Sequence, residues 1–234
     1  MSTGHNVLIT GTTRGLGKAI AEHFLARGSI VIGCARSEAT ISHAQYFHHK
    51  VDLASPKAIS DFFFALRKDL NQLDVLINNA GVAKMNAFAM TPIESVQKIF
   101  AVNVNGTFLF CQKAIGLLRK SQHPRIINMS SVAVPLRLEG ESVYAASKSA
   151  VEMLTRIMAK ELSSFHITCN AIGPSPIATD LIKGVPKEKI DRLIEQQAVP
   201  KMATVADVIH TVEFLSHPAS DMITGQVIYL GGIS

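Results

Sequence analysis

A tyrosine and a lysine stand four residues apart in the segment YAASK, at Tyr144 and Lys148. On a helix this spacing places both side chains on one face, within one turn of each other. The positive charge of the lysine favours the phenolate, which would move the phenol pKa from about 10 toward neutrality. Because a group that titrates near the working pH is an efficient acid–base catalyst, the pair predicts proton transfer to or from a substrate oxygen.

The same spacing also occurs at Tyr46 and Lys50, in the segment YFHHK. That segment is predicted to be a strand, in which the two side chains would share a face but lie about 13 Å apart, at roughly 3.3 Å per residue. In YAASK, by contrast, a helix brings the pair within one turn. Only Tyr144 and Lys148 can therefore cooperate.

Short apolar runs alternate with longer helical patterns along the chain. The predicted strands are NVLIT, SIVIGCA, YFHHKVDL, LDVLINN, RIINMS, ITCNAI and GQVIYL. Runs that are apolar on both faces and separated by helices indicate a parallel sheet covered on both sides. We therefore predict an α/β protein with a doubly wound parallel sheet of about seven strands, a single-domain Rossmann fold over residues 1–234.

Composition limits the class of protein. Of the 234 residues, 47% are hydrophobic and 18% charged, and the net charge of +5 comes from scattered cations, which favours small anionic ligands over nucleic acid. No apolar stretch reaches the length of a membrane span, and the histidines at 43, 48 and 49 lack a second set of metal ligands, so neither membrane nor metal is expected. The cysteines have no CxxC spacing and are predicted to be buried apolar residues of a cytoplasmic protein: Cys34, Cys111 and Cys169.

A glycine-rich turn follows the first predicted strand. In TGTTRGLG, Gly11, Gly15 and Gly17 precede a helical pattern. Glycines there permit a tight turn and a close approach of a diphosphate to the helix amino terminus, where backbone N–H groups favour negative charge. The turn predicts a dinucleotide site.

Together these segments resemble the short-chain dehydrogenase/reductase family. The resemblance rests on TGTTRGLG, NNAG at 78–81, Asn103, Ser131 and YAASK, in the family's order and spacing over essentially the whole chain. The GxxxGxG pattern is most similar to the single-domain branch that includes the 3-oxoacyl-carrier-protein reductases.

The resemblance implies a catalytic role for each matched residue. Tyr144 would be the acid–base group, Lys148 would favour its phenolate and hold ribose hydroxyls, and Ser131 would orient the substrate oxygen. Ser131 is preferred to Ser130 because it stands thirteen residues before Tyr144. Asn103 would hold a water of the proton relay, or would be a buried asparagine bonded only to backbone. The implied reaction is hydride transfer between NADP(H) and a ketone, a 3-oxoacyl thioester or the corresponding secondary alcohol.

The resemblance also implies the cofactor contacts. Asn79, Ala80 and Gly81 would lie along the cofactor, and Asp52 would meet the adenine amino group unless it only starts the helix at Ser55. The full set of implied contacts is Gly11, Thr13, Arg14, Gly15, Leu16, Gly17, Arg36, Asp52, Leu53, Asn79, Ala80, Gly81, Tyr144, Lys148, Pro174, Ile177 and Thr179.

Charges at the adenosine end favour NADP(H) over NAD(H). An NAD enzyme of this architecture usually ends its second strand with an acidic residue that binds the ribose hydroxyls. Here the strand ends with Arg36, and Arg14 lies inside the glycine turn. A guanidinium binds the 2′-phosphate through paired hydrogen bonds, whereas a carboxylate would repel it.

Residues 175–202 have no clear partner in the predicted sheet and contain a short helical pattern. They are either a substrate lid or a long connection between two elements. With 82–85 and 132–138 they would form mostly apolar pocket walls, in which Lys84 and Arg137 are possible anchors for an anion.

Two residues depart from the family pattern near the site. Ser175 follows Pro174 where glycine is usual, and Leu230 precedes the last glycine pair where Asp or Asn is common. The first departure restricts the backbone conformations available beside the nicotinamide, because serine tolerates fewer than glycine. The second could change subunit contacts.

The sequence leaves the substrate open. Gln122 and Phe165 stand where carrier-protein reductases tend to have basic residues, although Arg119, Lys120 and Arg125 are close enough to compensate. A protein substrate carrier is therefore neither required nor excluded.

The alternative function class is a dinucleotide-binding sensor or scaffold without turnover. Such a protein has no need of Asn103, Ser131, Tyr144 and Lys148 together, so their joint presence favours an enzyme.

Two helical patterns, at 95–120 and 143–163, carry apolar residues over more surface than one sheet face covers. In the family the corresponding helices form a four-helix interface, so we expect a homodimer or a homotetramer.

Overall fold

A computed structural model describes residues 4–178 and 185–233 of the chain. Within these residues, parallel strands form one seven-stranded sheet in the order β3-β2-β1-β4-β5-β6-β7. The predicted doubly wound α/β fold is confirmed.

Helices alternate with the strands along the chain. The strands are β1 Asn6–Thr10, β2 Ile30–Ala35, β3 Tyr46–Lys50, β4 Val75–Asn78, β5 Arg125–Met129, β6 Thr168–Gly173 and β7 Val227–Tyr229. The α-helices are α1 Gly15–Ala26, α2 Pro56–Asp69, α3 Ile93–Phe100, α4 Thr107–Leu118, α5 Ala133–Leu136, α6 Ser142–Glu161, α7 Lys187–Glu195 and α8 Val205–Ser216. A π-helical turn, Ala101–Gly106, joins α3 to α4.

Alternate residues of the central strands supply two separate cores. In β1, Leu8 packs with residues of α2 and α4, whereas Val7 and Ile9 pack with residues of α1 and α8. Because helices cover both faces of the sheet, the strands are apolar on both faces, which is why their sequences are continuous apolar runs.

The ends of two helices follow their sequence signals. The Ser55 hydroxyl accepts a hydrogen bond from the Ala58 N–H at 3.2 Å, and Pro56 is the first residue of α2. Gly28, two residues after α1, has φ 77°, a left-handed conformation that terminates the helix. These local signals fix where the helices begin and end.

The cysteines are buried, as predicted: Cys34, Cys111 and Cys169. Burial raises the pKa of the Cys111 thiol to about 12, and it raises the pKa of the other two as well. A catalytic thiolate is therefore disfavoured at all three positions.

The strand order changes direction between β1 and β4, where β2 and β3 lie on one side and β5 to β7 on the other. At such a switch point the loops after the strands separate and leave a cleft at the carboxyl edge of the sheet. The glycine turn, which follows β1, and the NNAG segment, which begins within β4, both lie at this edge.

A buried arginine ties β5 to the segment before β7. Arg125 is 1% exposed and pairs with the carboxylate of Asp221, which is 54% exposed. Burial alone would raise the pKa of Asp221, but hydrogen bonding and charge from Arg125 outweigh it and hold that pKa below its usual range. Arg125 is therefore a structural cation, and the expectation that it compensates at a docking surface is wrong.

Asp221→Asn should lower the free energy of unfolding by about 1–2 kcal/mol at pH 7, below the full value of a charged hydrogen bond because the carboxylate is half exposed. The stabilisation from Asp221 is present above the unfolded pKa of about 3.9 and lost as the pH falls through the lower folded-state pKa. Urea unfolding at several pH values measures this difference.

The matched control is Asp61→Asn, which removes an exposed ion pair with Lys57 on α2 and should cost no more than about 0.5 kcal/mol. Equal stability of the Asp221→Asn protein and the wild type at pH 7 would show that Arg125 does not depend on this carboxylate.

Candidate active site

Tyr144 lies in the first turn of α6 and is 8% exposed. Ser131, which follows β5, lies near this phenol and lowers its pKa. One turn further along α6, the Lys148 ammonium donates to the Met129 carbonyl at 2.7 Å and lies 5.8 Å from the centre of the Tyr144 ring. The structure thus brings the three predicted side chains together.

The pKa shifts at this site differ from the expectation. Burial raises the pKa of Tyr144 to about 12, which Ser131 opposes and the charge of Glu141 increases. Burial also lowers the pKa of Lys148 to about 8. The prediction that Lys148 moves the phenol toward neutrality is therefore wrong for the protein without ligand, because desolvation outweighs the attraction of the cation.

Asn103 lies in the π-helical turn, a local widening that is frequent at functional sites. Its side chain accepts from the Val82 N–H and donates to the Val82 carbonyl, both at 2.9 Å. It also donates to the Ser147 hydroxyl at 3.0 Å. Asn103 therefore holds the segment after β4 against α6, and its role in a water relay remains a prediction.

The contacts of Tyr46 and Lys50 exclude them as a catalytic pair. Tyr46 and Lys50 lie on β3 as predicted, and the Tyr46 hydroxyl is hydrogen-bonded to Thr12 at 2.8 Å and to His48 at 2.9 Å. Lys50 instead pairs with the exposed Glu38. The two residues do not act on a common group.

The glycine turn is held closed by Asn79. Gly11 has φ 78°, and the Asn79 side chain donates to the Thr10 carbonyl at 2.9 Å. A Cβ on Gly17 would lie 2.3 Å from the side-chain nitrogen of Asn79 and from the Gly11 carbonyl oxygen. No larger residue fits at position 17, so the start of α1 approaches the end of β4 closely.

Gly81 packs against Lys148 and Asn103. A Cβ on Gly81 would lie 3.4 Å from the Lys148 ammonium and 3.4 Å from the Asn103 side-chain oxygen. Lys148 is only 5% exposed, so its contact with a ribose remains a prediction.

At the adenosine end, Arg36 is exposed and directly follows β2, which pairs with β1 up to Thr10 and Cys34. Arg14 lies at the start of α1, so both cations stand at adjacent strand ends. Binding of a 2′-phosphate by these cations remains a prediction.

The remaining predicted contacts are only partly placed by the structure. The Asp52 carboxylate accepts from the Ala54 N–H at 3.0 Å, as a helix entry requires, so its adenine contact remains a prediction. The Leu53 side chain is buried in the core, whereas the backbone of Thr13 accepts from Thr40. Leu16 packs against the core on the α1 side of the sheet.

The segment after β6 is tied to the chain beyond α7. The Ser175 hydroxyl donates to the Gln197 side chain at 2.7 Å, and Ile177 forms a parallel bridge with Ala203. Ser175 thus uses its side chain to hold Gln197. The Val132 N–H contacts the Pro174 carbonyl at 3.3 Å. Thr179 lies outside the described residues.

A groove of about 860 Å³ opens beside the amino end of α6. Residues of all three predicted wall segments line it, among them Met85, Val134, Arg137, Leu138 and Lys189. Lys84 instead faces the Ser95 hydroxyl at 3.4 Å. Within the described part of the chain, no cluster of three or more acidic, histidine or cysteine side chains could hold a metal ion.

Sequence reasoning missed Glu152, a buried carboxylate on α6. It accepts hydrogen bonds from the Ser130 hydroxyl and, at 2.6 Å, from the Tyr229 hydroxyl. Its position four residues after Lys148 and eight after Tyr144 places it on the same helix face, so periodicity could have found it.

The basic surface expected for carrier-protein docking is reduced. Arg125 is buried, and the Arg119 guanidinium lies over the Phe165 ring, 4.2 Å from its centre. Lys120 remains exposed.

The family model described as enoyl-(acyl carrier protein) reductase matches residues 11–233. The chain belongs to the short-chain dehydrogenase/reductase family. The 3-oxoacyl-[acyl-carrier-protein] reductase FabG of Vibrio cholerae is 31% identical over 238 residues, which cover 98% of this chain and 96% of that protein. The corresponding reductase of Escherichia coli K12 is 28% identical over 235 residues, covering 98% of this chain and 96% of that one.

Solved structures of this short-chain dehydrogenase/reductase family share the fold. Aldohexose dehydrogenase of Thermoplasma acidophilum has a TM-score of 0.88 and 28% identity, covering 98% of this chain and 94% of that one. A short-chain dehydrogenase of Leptospira borgpetersenii with bound NAD+ also has a TM-score of 0.88, at 24% identity, covering 98% of this chain and 92% of that one. The protein is therefore an oxidoreductase of this family, similar to the 3-oxoacyl reductases.

The cofactor-free protein should form almost no tyrosinate below about pH 10, the pKa of a free phenol. It has three tyrosines, and burial raises the pKa of each. Ultraviolet difference absorbance during an alkaline titration measures the ionisation. A tyrosinate signal with a midpoint near neutrality, present in Tyr46→Phe and absent in Tyr144→Phe, would show that burial does not raise the pKa of Tyr144.

Proposed function

We propose that the protein is an NADP(H)-dependent oxidoreductase that interconverts a carbonyl group and a secondary alcohol, with Tyr144 as the acid–base group. The observation that carries the proposal is the burial of Tyr144 and Lys148 one helical turn apart on α6, with Ser131 near the phenol and the ammonium bonded to the end of β5. A sensor without turnover has no need of this arrangement.

The cofactor supplies the hydride when it is bound. Ser131 and Tyr144 present two adjacent hydroxyls, so a carbonyl oxygen placed between them receives a hydrogen bond from Ser131 and a proton from Tyr144. With a pKa of about 12, Tyr144 is protonated at neutral pH and is ready to act as the acid of the reductive direction.

Lys148 and Asn103 support this proton transfer. The Lys148 pKa of about 8 lies close to neutrality, so the ammonium can exchange its proton and return one to the phenolate that reduction leaves. Its ammonium, which lies near Gly81, would hold the ribose hydroxyls when the cofactor is bound. Asn103 fixes Val82, the next residue after Gly81.

Several observations support a dinucleotide at the glycine turn and a preference for NADP(H). The close approach at Gly17 leaves backbone N–H groups at the start of α1 for a diphosphate. Arg14 and Arg36 flank the position of the adenosine ribose. Free buried thiols at Cys34 and Cys111 fit the reducing cytoplasm, where we place the protein.

The names of the relatives cover two substrate classes, an acyl thioester on a carrier protein and an aldohexose. The burial of Arg125 leaves less positive charge for a carrier protein. A small carbonyl compound or alcohol is therefore the substrate class we favour, and neither nucleic acid nor a membrane is part of the proposal. Within the described ranges, no helix combines the length and apolarity that crossing a bilayer requires.

Tyr144→Phe should reduce turnover at least about a hundredfold, the lower end for the loss of general acid–base catalysis, and should leave NADPH binding nearly intact. A panel of carbonyl compounds assayed by nicotinamide absorbance measures turnover, and fluorescence titration measures binding. Tyr46→Phe, which removes a tyrosine hydroxyl outside the site, should keep turnover within about threefold of the wild-type value. Near-wild-type turnover in Tyr144→Phe would show that the assignment is wrong.

Arg36→Ala should weaken NADPH binding about ten- to a hundredfold, because hydrogen bonds to a charged group contribute roughly 1.5–3 kcal/mol. NADH lacks the 2′-phosphate, so its affinity should not fall. Arg27→Ala, at the other end of α1 where Arg27 pairs with Glu213, is the matched control and should change neither affinity. Equal catalytic efficiency of the wild type with NADH and NADPH would contradict the preference.

We propose that α4 and α6 form a subunit interface in a homodimer or homotetramer. Phe108 on α4 is 44% exposed, and Met153 and Ile157 on α6 are 55% and 45% exposed. Light scattering at micromolar concentration should give at least twice the chain mass, and the double substitution Met153→Glu with Ile157→Glu should lower it. Phe64→Glu, on an exposed position of α2, should leave the mass unchanged; a monomeric wild type would contradict the interface.

A further inference from the structure

Glu141 immediately precedes α6 and carries a buried carboxylate oxygen, Oε2, without a hydrogen-bond partner among the residues that the structure describes. Glu141 stands three residues before Tyr144, and its charge contributes to raising the pKa of that phenol. Buried polar atoms are nearly always paired in folded proteins, so an unpaired one beside a reacting group requires an explanation.

Helix capping does not explain the carboxylate. Glu141 occupies the residue before the first turn of α6, but its side chain makes no capping hydrogen bond. Its backbone carbonyl, by contrast, accepts from the Ala145 N–H at 2.7 Å. The carboxylate is therefore directed away from the helix amino terminus that it would otherwise stabilise.

A second unpaired polar atom lies in the neighbouring segment. The side-chain nitrogen of Asn86 is buried and also lacks a partner in the described structure. The Asn86 N–H donates to the Gly140 carbonyl at 2.9 Å, so the backbones that carry Asn86 and Glu141 are adjacent. One side chain supplies an acceptor and the other a donor, the pair of functions that a hydroxyl group satisfies.

Glu141 borders the groove beside α6, because it stands between Gly140 and Ser142, which line the groove together with Asn86. Lys189 of α7 lines the same groove, and its ammonium lies 3.8 Å from the Met85 sulfur. Burial raises the pKa of Glu141, and the charge of Lys189 opposes that rise. The unpaired atoms therefore lie at the edge of the groove, beside the first turn of α6, which carries Tyr144.

We propose that Glu141 and Asn86 form a polar subsite that binds hydroxyl groups of the substrate near its reacting carbon, which makes a neutral polyhydroxylated ketone or alcohol the preferred substrate. The proposal rests on the carbonyl–alcohol chemistry proposed above and names its substrate class. A substrate without hydroxyls would leave both buried groups unpaired. An anionic group placed in the subsite would be repelled by the Glu141 carboxylate, although Arg137 and Lys189 line the same groove.

Three four-carbon ketones test the subsite: erythrulose is neutral and hydroxylated, butanone is apolar, and acetoacetate is anionic. With NADPH, the wild type should reduce erythrulose with a kcat/KM at least about tenfold above the values for the other two. Glu141→Leu should lower kcat/KM for erythrulose about ten- to a hundredfold, mainly through KM, and leave butanone within about threefold. Glu141→Gln, which removes the repulsion, should raise the relative rate with acetoacetate.

Glu161→Leu is the matched control, because Glu161 is exposed at the last residue of α6, outside the groove lining, and should change kcat/KM for no ketone selectively. Thermal unfolding of each variant identifies loss of folding. If Glu141→Leu folds and lowers kcat/KM for all three ketones equally, Glu141 has a structural role. The proposed subsite would then be wrong, while the proposed reaction would stand.

Binding of erythrulose to the Tyr144→Phe protein, followed by saturation-transfer NMR, separates the two proposals. Suppose that the Tyr144→Phe protein binds erythrulose, that adding Glu141→Leu abolishes this binding, and that the wild type turns over no ketone. These results would support the subsite and overturn the proposed reaction. Absence of both binding and turnover of erythrulose would overturn the subsite.

Discussion

The structure of the site depends on buried polar bonds that hold α6 against the end of β5. The carbonyl of Met129 accepts from Lys148 and the Ser130 hydroxyl donates to Glu152, while Ser131 lies near the phenol of Tyr144. The three helical residues recur every four positions and therefore share one face. Because leaving a buried polar group unpaired costs about 1–3 kcal/mol, each bond resists any rotation of α6 away from the strand.

The same burial that orders the site determines its protonation. Desolvation disfavours both the phenolate of Tyr144 and the ammonium of Lys148, so it moves their pKa values apart, to about 12 for the phenol and about 8 for the ammonium. At neutral pH the phenol retains its proton, which suits an acid that protonates a carbonyl oxygen. Shifted pKa values of this kind concentrate at functional sites, where dry surroundings strengthen every charge interaction.

Patterns in the sequence predicted the elements that carry the site. Apolar runs located the strands, and strand or helix geometry separated Tyr46 from Tyr144. The pKa direction of Tyr144 was not predictable, because it depends on how completely distant segments exclude water. The burial of Arg125 was also missed, because its partner Asp221 is remote in the chain. Helical periodicity could have identified Glu152, but no sequence pattern marks an unpaired atom such as Oε2 of Glu141.

A double-mutant cycle on kcat with Ser131→Ala and Tyr144→Phe tests most directly whether the two hydroxyls act on one oxygen. The account predicts strong non-additivity: each single substitution should cost at least about a hundredfold, and the double variant should be within about tenfold of the worse single one. Losses that multiply, so that the double variant falls by the product of the two single effects, would contradict a site in which α6 and β5 position these hydroxyls as one unit.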